Sequence, residues 1–178
     1  MKTLVVIDVQ RDFFCPEGSL YVKGGETLPA KIAAAAADYD AVVFTLDWHP
    51  GDHCSFAAQD GPWPPHCVAF TQGAGLADEF SMMLADGALL HFKGTDPGKE
   101  QYGGFEFISE SDPEYAVFEN SDTIEICGIA GDYCVKETAA VLMKHWPEKI
   151  VLLPELIASI DDGTTLRCFI EKNNLKTK

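Results

Sequence analysis

The chain is short of positive charge, of histidine and of long apolar runs, and its cysteines do not fall into pairs. Thirteen Lys and Arg stand against 28 Asp and Glu, for a net charge of −15 over 178 residues. Phosphate contacts demand Lys and Arg, so this balance argues against nucleic acid and against anionic membrane surfaces as partners. The first apolar run, Leu4 to Ile7, is interrupted by Asp8 and is too short for the apolar core of a signal peptide. No stretch approaches the ~20 apolar residues that a membrane span requires. The six cysteines (Cys15, Cys54, Cys67, Cys127, Cys134, Cys168) show no CxxC spacing. Without a secretion signal they read as reduced thiols, and the expected location is the cytoplasm. Internal repeats and low-complexity linkers are also missing.

What is present suits one α/β domain over residues 1–178. The chain is 47% hydrophobic with 11 Phe, enough for a full core. Apolar β-branched runs predict strands at Thr3–Ile7, Ala41–Leu46, Gly87–Phe92, Thr123–Ile126 and Lys149–Leu153. Helices are expected from Thr27-Leu28-Pro29 through the Ala33–Ala37 tract, over 76–85, from Gly131-Asp132 to about His145, and from Asp161 or Asp162 to Asn173-Asn174. Strands alternating with helices predict a doubly wound, mostly parallel sheet in three α/β/α layers, Rossmann-like in outline. In such sheets a site forms at the carboxyl ends of the strands, where strand order reverses. Asp8, Asp47, His49, His53, Lys93 and Cys134 all follow or close predicted strands, so all fall on that edge.

Three of the five histidines lie between Asp47 and Cys67. The stretch reads Asp47-Trp48-His49-Pro50-Gly51-Asp52-His53, then Trp63-Pro64-Pro65-His66-Cys67. Two Gly and four Pro make it a loop. Any one histidine there could be an idle, solvated residue. Imidazoles with a carboxylate, in a loop stiffened by two Trp, instead suggest a divalent-metal site. A non-catalytic module holding structural Zn through His53-Cys54 and His66-Cys67 is the alternative. The missing CxxC spacing counts against it.

Cys134 sits where a predicted strand turns through Gly128-Ile129-Ala130-Gly131 into a helix. A helix start lowers a thiol's pKa and offers N–H groups to an oxyanion. Cys127 and Cys168 read as packing residues. Asp8 closes an apolar strand, where a carboxylate is costly without a partner. With strands one and four adjacent, Asp8 faces Cys134 as its base, and Lys93 meets Asp8.

Taken in order, Asp8-Val9-Gln10-x-Asp12-Phe13, Asp47-Trp48-His49-Pro50-x-x-His53, Trp63-Pro64-x-His66-Cys67, Lys93-Gly94 and Gly128-Ile129-Ala130-x-Asp132-Tyr133-Cys134-Val135 resemble the nicotinamidase/pyrazinamidase branch of the isochorismatase-like cysteine hydrolases. The resemblance runs from about Thr3 to Thr165. Each motif alone is weak, and the ordered set is specific. It implies a triad of Asp8, Lys93 and Cys134, and an oxyanion hole at the N–H groups of Ala130 and Cys134. It implies a cis Ile129–Ala130 bond. It implies aromatic walls at Phe13, Trp63, Tyr102 and Tyr133, and a metal held by Asp47, His49 and His66 with His53 as a fourth ligand. The metal would be Zn first, with Fe or Mn also suited. The expected reaction is hydrolysis of a pyridine carboxamide, nicotinamide or pyrazinamide, through a thioester. Another small amide or carbamoyl compound is the alternative. A homo-oligomer is compatible with the resemblance. The chain departs from the family in Arg11, where Asn is usual, in a short Ile108–Asn120 segment, and in an end at Lys178 that leaves little for a sixth strand.

Overall fold

The computed structural model describes residues 1–178. Six parallel strands form one sheet in the order β3-β2-β1-β4-β5-β6. They are β1 (Lys2–Ile7), β2 (Ala41–Asp47), β3 (Leu89–Lys93), β4 (Thr123–Ile129), β5 (Ile150–Ala158) and β6 (Lys176–Thr177). The order reverses between β1 and β4, which pair from Lys2↔Thr123 to Ile7↔Gly128. Gly128 permits that closeness. Its φ is +120°, and a Cβ there would stand 2.1 Å from the Ile7 carbonyl oxygen.

Alternation along the strands feeds two cores. Leu4 and Val6 join Phe44, Leu46, Ile129 and helix α2 (Leu28–Ala36) on one face. Val5 and Ile7 join Val43, Ile124, Ile126 and the helices α4 (Pro113–Asn120), α5 (Lys136–Leu142) and α6 (Thr164–Asn173) on the other. Two short helices complete the set, α1 (Arg11–Phe14) and α3 (Ser81–Ala85). No helix is long and apolar enough to cross a membrane.

The doubly wound architecture follows the sequence pattern, and several boundaries do not. Gly87 has φ +94°, a turn conformation, so β3 begins at Leu89 and includes Lys93. Residues 78–80 form a 3-10 turn before α3, so the expected helix over 76–85 is shorter. β4 and β5 run further than expected, with an irregular register: Leu152 faces Ile126 while Ile157 faces Gly128. Exposed Pro154, which has no N–H to give to a ladder, sits in the skipped stretch. The expected single helix from Gly131 splits into a π-type turn, Gly131–Val135, and α5. The last helix starts at Thr164, after a turn in which Asp161 and Asp162 accept backbone N–H groups of Gly163, Thr164 and Thr165. The short tail does supply a sixth strand, of two residues.

Candidate active site

Because the strands are parallel, their carboxyl ends share one edge, and four neighbouring strands each deliver one residue. β3 ends in Lys93, β2 in Asp47 and β1 leads into Asp8, while β4 leads through the turn to Cys134. All four are buried. Asp8 has φ +47°, a left-handed conformation that Asp tolerates better than most residues. Thr45 donates its hydroxyl to Asp8 Oδ1 at 2.6 Å. Lys93 Nζ stands 2.8 Å from Asp8 Oδ2, also binds Asp47 Oδ1, and lies 3.5 Å from Cys134 Sγ. One ligand atom from each of Asp8, Asp47 and Cys134 falls within 4.8 Å of the other two.

A lone lysine here would lose its proton to burial. Two carboxylates reverse this, and the Lys93 ammonium is held well above its ordinary range. The carboxylates are driven apart. Burial raises Asp8 despite Lys93 and Thr45. Burial also acts on Asp47, but Lys93 and His49 outweigh it and hold that carboxyl below its usual range. Burial pushes the Cys134 thiol well up, against the pull of Lys93. This corrects the expectation of a thiol acidified by a helix start. The segment around Cys134 is a buried π-type turn, and desolvation wins.

Beside this group, Asp47, His49 and His66 each bring one ligand atom to within 4.8 Å of the others. The backbone sets both imidazoles. His49 Nδ1 donates to the Gly94 carbonyl at 2.9 Å, and His66 Nδ1 donates to the Pro64 carbonyl at 2.8 Å. Each ring, when neutral, therefore presents an Nε2 lone pair, and His49 Nε2 lies 3.6 Å from Asp47 Oδ2. Carbonyl-oriented rings converging on a carboxylate fit a divalent ion. Gly94 is needed for this arrangement: its φ is +65°, and a Cβ would stand 2.4 Å from His49 Cε1.

His53 differs from the expected fourth ligand. Its ring centre is 4.2 Å from that of His49, but both of its nitrogens are engaged. Nε2 donates to the Lys99 carbonyl at 3.1 Å, and Nδ1 meets Ser55 Oγ at 2.7 Å. No lone pair is left for an ion.

Phe13, Trp63, Tyr102 and Tyr133 line one cleft of about 30 Å³ with Asp47, His49, His66, Ala130 and Cys134. Trp63 Nε1 donates to the Tyr102 hydroxyl at 3.0 Å, and both rings pack on Tyr133. The Ile129–Ala130 peptide is cis. Arg11 turns away to an exposed pair with Asp78 at 2.7 Å. Sequence reasoning missed Glu100 and Ile160 in the cleft wall. It also assigned no role to two residues inside the first motif. Gln10 exchanges hydrogen bonds of 2.8 Å with both backbone groups of Asp47. Asp12 accepts the Cys67 N–H at 2.7 Å, tying down the chain beside His66. Buried polar side chains must find partners, which is the signal that could have found them.

A doubly wound α/β domain with a buried Asp-Lys-Cys group beside an Asp-His-His cluster defines a class of thiol-bearing, metal-competent proteins. Within it, residues 2–145 match the isochorismatase domain, and the chain belongs to that family. It is 37% identical over 182 residues to the nicotinamidase/pyrazinamidase of Mycobacterium tuberculosis, covering 96% of this chain and 94% of the relative. The crystal structure of PnC1 from L. infantum in complex with nicotinate superposes with a TM-score of 0.84 at 30% identity, covering 100% of this chain and 92% of that one. The pyrazinamidase of Pyrococcus horikoshii in complex with zinc gives 0.79 at 31% identity, covering 99% and 98%.

Proposed function

We propose that this protein hydrolyses nicotinamide to nicotinate and ammonia, and pyrazinamide to pyrazinoate, by cysteine catalysis. The observation that carries this reading is the Lys93 ammonium, which reaches Asp8, Asp47 and Cys134 together, the last two of which line an aromatic cleft. The relatives' nicotinamidase and pyrazinamidase activities, and the nicotinate bound in one of them, support the choice of amide.

Asp8 is the base. Its carboxylate takes the Cys134 proton as the sulfur bonds to the amide carbon. A neutral resting thiol beside a raised carboxyl suits this, because the proton needs to move only within a buried pair. The N–H groups of Ala130 and Cys134 hold the oxyanion. Asp8 then gives the proton to the departing nitrogen, which leaves as ammonia. Water cleaves the thioester, and its protons restore the Cys134 thiol and complete nicotinate. Lys93 balances the charge of Asp8 throughout. Phe13, Trp63, Tyr102 and Tyr133 hold the flat ring.

Asp47, His49 and His66 would hold a divalent ion, for which the zinc-bound relative favours Zn. When bound, the ion supplies a Lewis acid toward a ring nitrogen. Six free cysteines accord with action in a reducing cytoplasm.

The test is ammonia release from nicotinamide by metal-replete protein. Wild type is expected to turn over, and Cys134→Ala to lose activity with fold and metal content intact. Near wild-type hydrolysis by the alanine variant would end the cysteine reading.

A further inference from the structure

Asp8 has two oxygens, and the reading above needs only one of them to face the Cys134 sulfur. The structure distinguishes them. Oδ1 accepts the Thr45 hydroxyl at 2.6 Å. Oδ2 is fully buried and pairs with the Lys93 ammonium 2.8 Å away. Each oxygen therefore has its own donor, a hydroxyl on one and an ammonium on the other, as a buried carboxylate requires.

Thr45 is as buried as Asp8, and its position is held twice over. Its backbone carbonyl accepts the Asp8 N–H at 3.2 Å. Its methyl faces Gly104, where a Cβ would approach Thr45 Cγ2 to 3.0 Å. With the methyl confined on that side, the hydroxyl turns to Asp8. A threonine hydroxyl has one proton to donate, and this one goes to Oδ1.

We infer that Thr45 is a positioning residue for the base: its hydroxyl on Oδ1, together with the Lys93 ammonium on Oδ2, fixes the Asp8 carboxylate in the orientation that receives and returns the Cys134 proton. This rests on the proposed role of Asp8. In the acylation step the S–H bond breaks, its proton bonds to the Asp8 carboxylate, and the sulfur electron pair forms the C–S bond. As the C–N bond breaks, the Asp8 proton passes to nitrogen and ammonia leaves. The hydroxyl favours ionised Asp8, in the same sense as Lys93.

Thr45→Val keeps the shape and removes the donor, and Thr45→Ser keeps the donor. Both are compared with wild type and Asp8→Asn for kcat and KM on nicotinamide and for the rate of Cys134 alkylation by iodoacetamide. Losing a hydrogen bond to a charged group predicts a kcat about 10–100-fold lower for Thr45→Val. KM should stay within about twofold, alkylation should slow in parallel, and Thr45→Ser should recover most of both. A Thr45→Val kcat within about threefold of wild type overturns the inference, as does a loss that serine fails to rescue. If Asp8→Asn itself stays active, the base assignment falls instead, and the two failures are told apart on the same plate.

Discussion

Lys93 and Asp8 form an ion pair of 2.8 Å that is sealed from solvent on both sides. Asp47 shares the same ammonium, so one cation stands between two buried carboxylates. Such pairs add little net stability over an apolar replacement, but breaking one strands a charge.

Lys93→Met should therefore destabilise the protein by roughly 3–5 kcal/mol, because two carboxylates then face each other without a counter-ion. Adding Asp8→Asn to that variant should restore much of the urea midpoint and none of the activity. A single variant as stable as wild type would show that water or backbone compensates the two carboxylates.

The three histidines of the loop should not be equivalent. His49→Ala and His66→Ala each remove a ring whose Nε2 faces the Asp47 cluster, and should cost at least 10–100-fold in metal affinity. His53→Ala removes a ring already bonded to Ser55 and to the Lys99 carbonyl, and should cost less. Zinc titration of the three variants decides it. An equal loss in His53→Ala would make His53 a ligand after all.

The layout of the site was readable because it depends on topology. With strands one and four as neighbours, Asp8, Asp47, Lys93 and Cys134 have to share an edge, and they do. The limits of that reading are local. His53 has the right residue type and spacing for a ligand, but only coordinates reveal that Ser55 and Lys99 have claimed its nitrogens. The Cys134 thiol is governed by burial, which depends on everything packed over it and not on its place before a helix. Thr45 could have been found: it shares a strand face with Asp47, and a hydroxyl in a buried strand needs a partner. The start of β3 was misjudged because Gly87 extends an apolar run on paper while turning the chain in space.

His91 predicts acid sensitivity of the fold. Its Nε2 accepts the Phe105 N–H at 3.0 Å, and its ring packs on Phe105. Burial, aided by the Lys93 charge, lowers its pKa from 6.5 to about 4, although Glu114 lies 3.7 Å from Nδ1. The unfolded chain takes up this proton near pH 6.5 and the folded chain only near pH 4. Between those values protonation favours unfolding, so stability present above pH 6.5 is lost as pH falls toward 4. The loss is at most about 3 kcal/mol. His91→Gln can still accept the N–H bond and does not titrate. Its Tm should fall less than that of wild type between pH 7 and pH 4.5. Parallel Tm curves would mean that His91 is protonated alike in both states.

Substrate choice should depend on one ring atom. The Nε2 atoms of His49 and His66 and the carboxylate of Asp47 converge on the wall of the cleft that also holds Cys134, so an ion held there would be placed to meet the ring of an amide in that cleft. Phe13 and Trp63 hold a flat ring whether or not it contains nitrogen. Nicotinamide and benzamide share the ring shape and the amide, but benzamide turns a C–H toward the ion where nicotinamide can offer a lone pair. A site left facing apolar carbon in place of its ligand discriminates strongly, by ~10³-fold or more in kcat/KM. Selection by shape alone would leave the two amides within about tenfold, which is ~1.4 kcal/mol. Metal-replete protein should therefore favour nicotinamide and pyrazinamide over benzamide by the larger factor. After chelation, activity on nicotinamide should fall much further than activity on benzamide. Equal kcat/KM values on the loaded protein would mean that the ion does not bind the ring nitrogen, and that the site is a general amidase for small flat amides.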